Sequence, residues 1–134
     1  MDARPDSNPE LARSLVLVVE DDAAVERSLR FTLELEGYRV ESFGDAEDLL
    51  ESGPPPHACL VIDYRLPGLN GLQAIQELRR RGMRVPAVLI TSAPTLSVAR
   101  HAASAGVMIV EKPLLTNTLL RTVQDAIQTS PRTP

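Results

Sequence analysis

Four short runs of this chain are apolar at every position: Leu15–Val19 (LVLVV), Ala58–Ile62 (ACLVI), Ala87–Ile90 (AVLI) and Val107–Val110 (VMIV). A strand with one wet face would alternate polar and apolar residues. These runs do not, so each predicts a strand covered on both faces, as in a parallel sheet between helices. Tyr38–Phe43 (YRVESF), interrupted by Arg39 and Glu41, predicts an edge strand. Between the runs, Val25, Leu29 and Leu33 recur four apart, Leu72, Ile75 and Leu78 three apart, and Leu115, Leu119, Val123 and Ile127 four apart. That is the spacing of one helix face. A shorter helix is expected over residues 95–105. Asp45 with Asp48, Asn70 ahead of Gly71, and Thr116 stand where helices should start, and Gly37 and Gly82 where they should stop. The resulting βαβαβαβαβα order predicts a doubly wound α/β domain of five strands and five helices.

At 134 residues the chain fits one domain. Residues 1–13, polar and without period, are expected to form a flexible leader, 14–128 the domain, and 129–134 a flexible tail or the start of a linker. Cys59 is the single cysteine, which excludes an internal disulfide and a Cys-based zinc site. No apolar run approaches ~18 residues, and the N-terminus lacks the apolar stretch of a secretory signal. A cytoplasmic protein without membrane contact is therefore expected. With 18 acidic against 14 basic residues and a net charge of −4, the domain is not expected to contact nucleic acid directly.

In an open parallel sheet, ligands bind outside the carboxyl ends of the strands. Counting the edge strand as the second, the first run delivers Glu20, Asp21 and Asp22 there, the third Asp63, the fourth Thr91 and Ser92, and the fifth Glu111, Lys112 and Pro113. If the first and third strands are neighbours, Asp21, Asp22 and Asp63 converge. Carboxylates that close repel and need a cation at neutral pH. Hard oxygen ligands in a small pocket point to Mg²⁺, or Mn²⁺ in its place. Lys112, the only lysine in the chain, suits a phosphoryl oxygen, and the Thr91 hydroxyl is a neutral donor to another oxygen of the same group. Asp63 is the candidate nucleophile, since carboxylates form acyl-phosphates. Each residue also has a purely structural reading: Asp22 ahead of AAVERSL as a helix N-cap, Asp63 as a turn residue before Pro67-Gly68, Thr91 as a strand-end hydroxyl, Lys112 as an exposed charge. Their joint placement at strand ends, in the right chain order, favours a site.

In the stretches VLVVEDDAAV, CLVIDYRLPGLNGL, AVLITSA and IVEKPL the sequence resembles the receiver domain of bacterial two-component response regulators, over about Ser14 to Gln128. The likeness is greatest to receivers of the nitrogen-regulator and nodulation-regulator type. It implies the flavodoxin-like (βα)5 receiver fold with strand order 2-1-3-4-5. It also implies that Asp63 is phosphorylated from a sensor histidine kinase or phosphotransfer protein, in a phosphorelay. Asp22 would bind Mg²⁺ directly, Asp21 directly or through water, and the backbone carbonyl of Arg65 would complete the protein ligands. Thr91 would be the switch hydroxyl, Lys112 would contact the phosphate, and the Lys112–Pro113 peptide would be cis. The surface of the fourth helix, fifth strand and fifth helix would receive a partner or a second copy. Where the family usually carries an aromatic residue this chain has Ile109, which implies weaker coupling between phosphorylation and that surface.

The resemblance implies a switch that catalyses only its own phosphorylation and dephosphorylation, either standing alone or regulating a transcription factor. A flavodoxin-like mononucleotide-binding protein is the alternative on the same elements, but it needs a Ser/Thr/Gly-rich phosphate cradle where EDDAAV stands. A Mg²⁺-dependent phosphatase would need a substrate cap, and no segment suggests one. Cys59 is expected to be a core thiol. His57 and His101 are too isolated to suggest a metal site. The cluster Arg79, Arg80, Arg81 and Arg84 is expected to be a solvated helix end that complements the helix dipole.

Overall fold

All four apolar runs and the interrupted one form strands, and all pair in parallel. The computed structural model describes residues 14–92, 94–114 and 116–129. The expected leader and residues 130–134 of the expected tail lie outside the described residues. The strands are β1 (Leu15–Val19), β2 (Arg39–Phe43), β3 (Cys59–Asp63), β4 (Ala87–Thr91) and β5 (Met108–Glu111), in the order β2-β1-β3-β4-β5. The helices are α1 (Ala23–Leu35), α2 (Ala46–Ser52), α3 (Gly71–Arg80), α4 (Leu96–Ser104) and α5 (Thr116–Thr129).

The burial explains the composition of the strands. On one face Leu15, Leu17, Val19, Leu60, Ile62 and Leu89 pack against Leu49, Leu72, Ile75, Leu78 and Ala102 from α2, α3 and α4. On the other, Val16, Val18, Val61, Ile90 and Val110 pack against Leu29 and Leu33 of α1 and Leu119 and Val123 of α5. Every residue of β1, β3 and β4 is buried, whereas β2 is exposed or half-buried along its length, as its broken pattern anticipated. Cys59 is fully buried in the second layer, and burial pushes its thiol up to about 12, so it is an inert core group.

Local chemistry sets the helix ends. Asp45 accepts the Asp48 N–H at the start of α2, and Asn70 and Gln73 form a reciprocal capping box at the start of α3. Gly37 (φ 102°) and Gly82 (φ 81°) follow the C-caps of α1 and α3, in a backbone region that other residues rarely adopt. No helix among the described residues is long and apolar enough to cross a membrane. The strand order reverses between β1 and β3, which opens a crevice at their carboxyl ends.

Candidate functional site

The crevice is built from residues that end strands. β3 runs one residue further than its apolar stretch, so Asp63 is its last residue and is 5% exposed. Asp63 Oδ2 lies 3.1 Å from Lys112 Nζ, and its Oδ1 accepts the Arg65 N–H at 3.2 Å. Lys112 is brought there by β5, which pairs with β4 so that Thr91 stands opposite Glu111; the Lys112 N–H donates to the Thr91 carbonyl at 2.9 Å. Thr91 is buried at the end of β4, and the Lys112–Pro113 peptide is cis, as expected.

The acidic triplet after β1 divides its labour differently from the sequence expectation. Glu20 continues the extended chain, its N–H donating to the Phe43 carbonyl at 3.1 Å, and its side chain is buried. Glu20, Asp21 and Asp63 each present a carboxylate oxygen, and these three oxygens lie within 4.8 Å of one another. Asp22 is not among them. Its Oδ1 accepts the N–H groups of Ala24 and Val25 at 2.9 and 3.1 Å and so caps α1. The expectation that Asp22 sits with Asp63 is therefore corrected. The residue before a helix turns its side chain back onto the first turn, and Glu20 takes the place in the crevice.

Glu20 Oε2 accepts the Asp22 N–H at 3.1 Å, while Oε1 is buried without a hydrogen-bond partner among the described residues. Burial, reinforced by the neighbouring Asp63 carboxyl, raises the Glu20 carboxyl to about 7, against the opposing pull of the Asp22 N–H and Lys112. An orphaned buried oxygen beside two further carboxylates is the donor set a hard divalent cation satisfies. The residues present thus fit the metal the sequence implied.

Two further residues shape the site, and the sequence reading did not single them out. Gly71 begins α3 so close to β3 that a Cβ there would collide with the Asp63 carbonyl oxygen and stand 3.0 Å from Leu89 Cδ1. Its N–H closes the intervening loop on the Tyr64 carbonyl at 2.9 Å. Glu47 of α2 accepts the Leu69 N–H at 3.0 Å and ties down the same loop. Asn70-Gly71 after the turn was the available signal for the first; nothing local marks Glu47. Ile109 is half-buried on β5 opposite Leu89, against the layer that holds α3 and α4.

Residues 16–124 match the family model described as the response regulator receiver domain. The chain belongs to this family. It is similar to nodulation protein W of Bradyrhizobium diazoefficiens, 36% identical over 118 residues that cover 87% of this chain and 52% of that protein. It is also similar to the transcriptional regulatory protein FixJ of Azorhizobium caulinodans, 36% identical over 100 residues covering 73% of this chain and 47% of the relative. Among solved structures, the response regulator StyR superposes with a TM-score of 0.80 at 32% identity, covering 87% of this chain and 60% of that one. Full-length FixJ from B. japonicum does so with a TM-score of 0.79 at 29% identity, covering 88% and 59%. The chain spans about half the length of these curated relatives. Membership of the receiver family is consistent with phosphorelay signalling, and the mononucleotide-binding alternative retains only a likeness of fold.

Proposed function

We propose that this receiver accepts a phosphoryl group on Asp63 from the phosphohistidine of a sensor kinase or phosphotransfer protein. The observation that carries the reading is the Lys112 ammonium 3.1 Å from Asp63 Oδ2, beside the carboxylates of Glu20 and Asp21. Mg²⁺, or Mn²⁺, would be held by Asp21, Asp63 and the Arg65 carbonyl, with Glu20 in the role first expected of Asp22; bound there, it supplies positive charge to the phosphoryl oxygens. An Asp63 oxygen attacks phosphorus, the P–N bond breaks, and the leaving imidazole keeps the electron pair. Lys112 moves from the carboxylate to a phosphoryl oxygen and neutralises charge that develops in transfer, and the Thr91 hydroxyl donates to another.

Phosphorylation brings about −1.5 to −2 charges. Re-pairing of Lys112 and Thr91 then biases the surface of α4, β5 and α5 toward a partner or a second copy. The chain acts as a switch in the cytoplasm, working on its own Asp63. The names of its relatives support a regulatory part of a transcription regulator over a domain that stands alone.

The test is incubation with Mg²⁺ and a small acyl- or amido-phosphate donor, followed by intact mass. Wild type gains one phosphoryl group and Asp63→Asn gains none. Labelling that persists in Asp63→Asn would overturn the assignment.

A further inference from the structure

We propose that the groove between the C-terminal ends of α3 and α4 is a binding site for a small phosphate-bearing anion. The groove, open to solvent, offers about 480 Å³, and Gln76, Arg79, Arg84, His101 and Ser104 supply its polar lining. That volume lies within the roughly 300–1,000 Å³ typical of small-molecule sites. It is remote from Asp63: α3 starts against the Asp63 carbonyl and reaches the groove only in its last turns, about 10 Å along the helix at ~1.5 Å per residue.

The lining carries two guanidiniums and no acid. No carboxylate lines the groove, although acidic residues outnumber basic ones in the chain as a whole. The nearest acid on α3, Glu77, is already engaged by Arg80 and Arg81 at 2.6 and 2.9 Å.

Cations at helix C-termini complement the dipole, and that accounts for Arg79, whose Nε and Nη1 donate to the Ala105 and Met83 carbonyls at 2.9 and 3.1 Å. It does not account for Arg84. This residue lies beyond the helix, is exposed and has no hydrogen bond or ion pair among the described residues; burial, with the charge of Arg84 added, depresses the Arg79 guanidinium. Two guanidiniums on one groove with no carboxylate in its lining favour an anion there. His101 adds an oriented ring: its Nδ1 lies 2.8 Å from the Ser97 carbonyl, which holds a proton on that nitrogen, so the ring offers Nε2 to an anion as a donor only in its imidazolium form. The Arg84 guanidinium, the remaining Arg79 N–H groups, the Gln76 amide and the Ser104 hydroxyl together match the several oxygens of a phosphate group. The expected solvated arginine cluster holds for Arg80, Arg81 and Arg84, all exposed, with Arg80 and Arg81 paired to Glu77; Arg79 is half-buried, and it and Arg84 line the groove.

The test is titration of the ¹⁵N-labelled full chain, without Mg²⁺ so that the Asp63 site is not engaged, with inorganic phosphate and, separately, with adenosine monophosphate. Matched sodium chloride is the control. Saturable shifts of the backbone amides of Arg79, Arg84 and residues 101–106 are expected, weakened about tenfold by Arg84→Gln, as loss of one charge-assisted hydrogen bond would do. Arg39→Gln, on the far edge of the sheet, should leave them unchanged. Tighter binding of adenosine monophosphate would assign an organic phosphate, and equal or weaker binding free phosphate. Shifts that fail to saturate, are reproduced by chloride, are confined to Asp21, Asp63 and Lys112, or survive Arg84→Gln would overturn the proposal.

Discussion

Glu20 is where stability and function pull apart, and Glu20→Gln separates them. In the metal-free fold its carboxyl sits at about 7, against an ordinary 4.5, chiefly because it is buried. The folded state therefore binds the proton more tightly than the unfolded chain. This contribution is fully present below pH 4.5 and is lost as pH rises through about 7. At 1.36 kcal/mol per pH unit the loss comes to about 3 kcal/mol by pH 8, or on the order of 10 °C in Tm for a domain of this size. Gln is the neutral isostere. Its carbonyl keeps the Asp22 N–H, and its amide gives Asp63 a donor where the acid leaves Oε1 without a partner. Glu20→Gln should thus be more stable than wild type at pH 8 in EDTA by about 2–3 kcal/mol, with little difference at pH 5. Mg²⁺ should reverse the order, because only the acid completes the charged oxygen set. Urea unfolding from pH 5 to 8.5, with EDTA and with Mg²⁺, reads all of this. A wild-type stability that is flat or rising with pH in EDTA, unaltered by Glu20→Gln, would refute the reasoning.

Asp22→Ala should cost about 1 kcal/mol through loss of the α1 cap and leave Mg²⁺ affinity, followed by calorimetry, nearly unchanged, while Asp21→Asn should weaken that affinity at least tenfold. Gly71→Ala drives a Cβ into the Asp63 carbonyl; thermal melts should show about 1–3 kcal/mol of destabilisation, and intact mass slower labelling by a phosphate donor. Ile109→Phe should enlarge the phosphorylation-dependent amide shifts on α4, and equal shifts in the two proteins would show that a ring adds nothing here.

Both the fold and its layers were legible because a strand covered on two faces has no room for a polar residue: LVLVV, ACLVI and AVLI admit no half-wet reading, and RVESF admits little else. Element ends were legible to within a residue, through Asp45, Asn70, Gly37 and Gly82. The division of labour in Glu20-Asp21-Asp22 was not. Which of three consecutive acids turns into the crevice depends on where extended backbone gives way to helix. Here the Glu20 N–H still bonds β2, so the chain leaves the sheet one residue later than the apolar run suggests. Asp22 before AAV carried the cap signal, but spacing alone cannot rank a cap against a ligand. Glu47 was invisible for a related reason, since it acts on a loop brought to it only by the tertiary fold, and Asn70-Gly71 marked a helix start without showing how closely Gly71 approaches Asp63.

The same geometry constrains how a signal can leave the site. Three carboxylates against one ammonium leave the metal-free crevice with a surplus of negative charge whenever Glu20 is ionised, so Lys112 is bound to Asp63 by more than their direct contact. A phosphoryl group on Asp63 offers Lys112 oxygens farther out. On the proposed phosphorylation the flexible side chain of Lys112 follows them, while its backbone N–H, at the end of β5, stays bonded to the Thr91 carbonyl. Any movement of that backbone would be transmitted to the β4–β5 pairing, and with it to Ile109 opposite Leu89. A side chain with a ring could answer by rotating between pockets, leaving the strand in place. Isoleucine, branched at Cβ and stiff at χ1, has no such freedom. On the proposed reading, a displacement at this strand would be carried by the backbone of β5 itself, toward the helices it packs against, α4 and α5, the first of which also walls the arginine-lined groove.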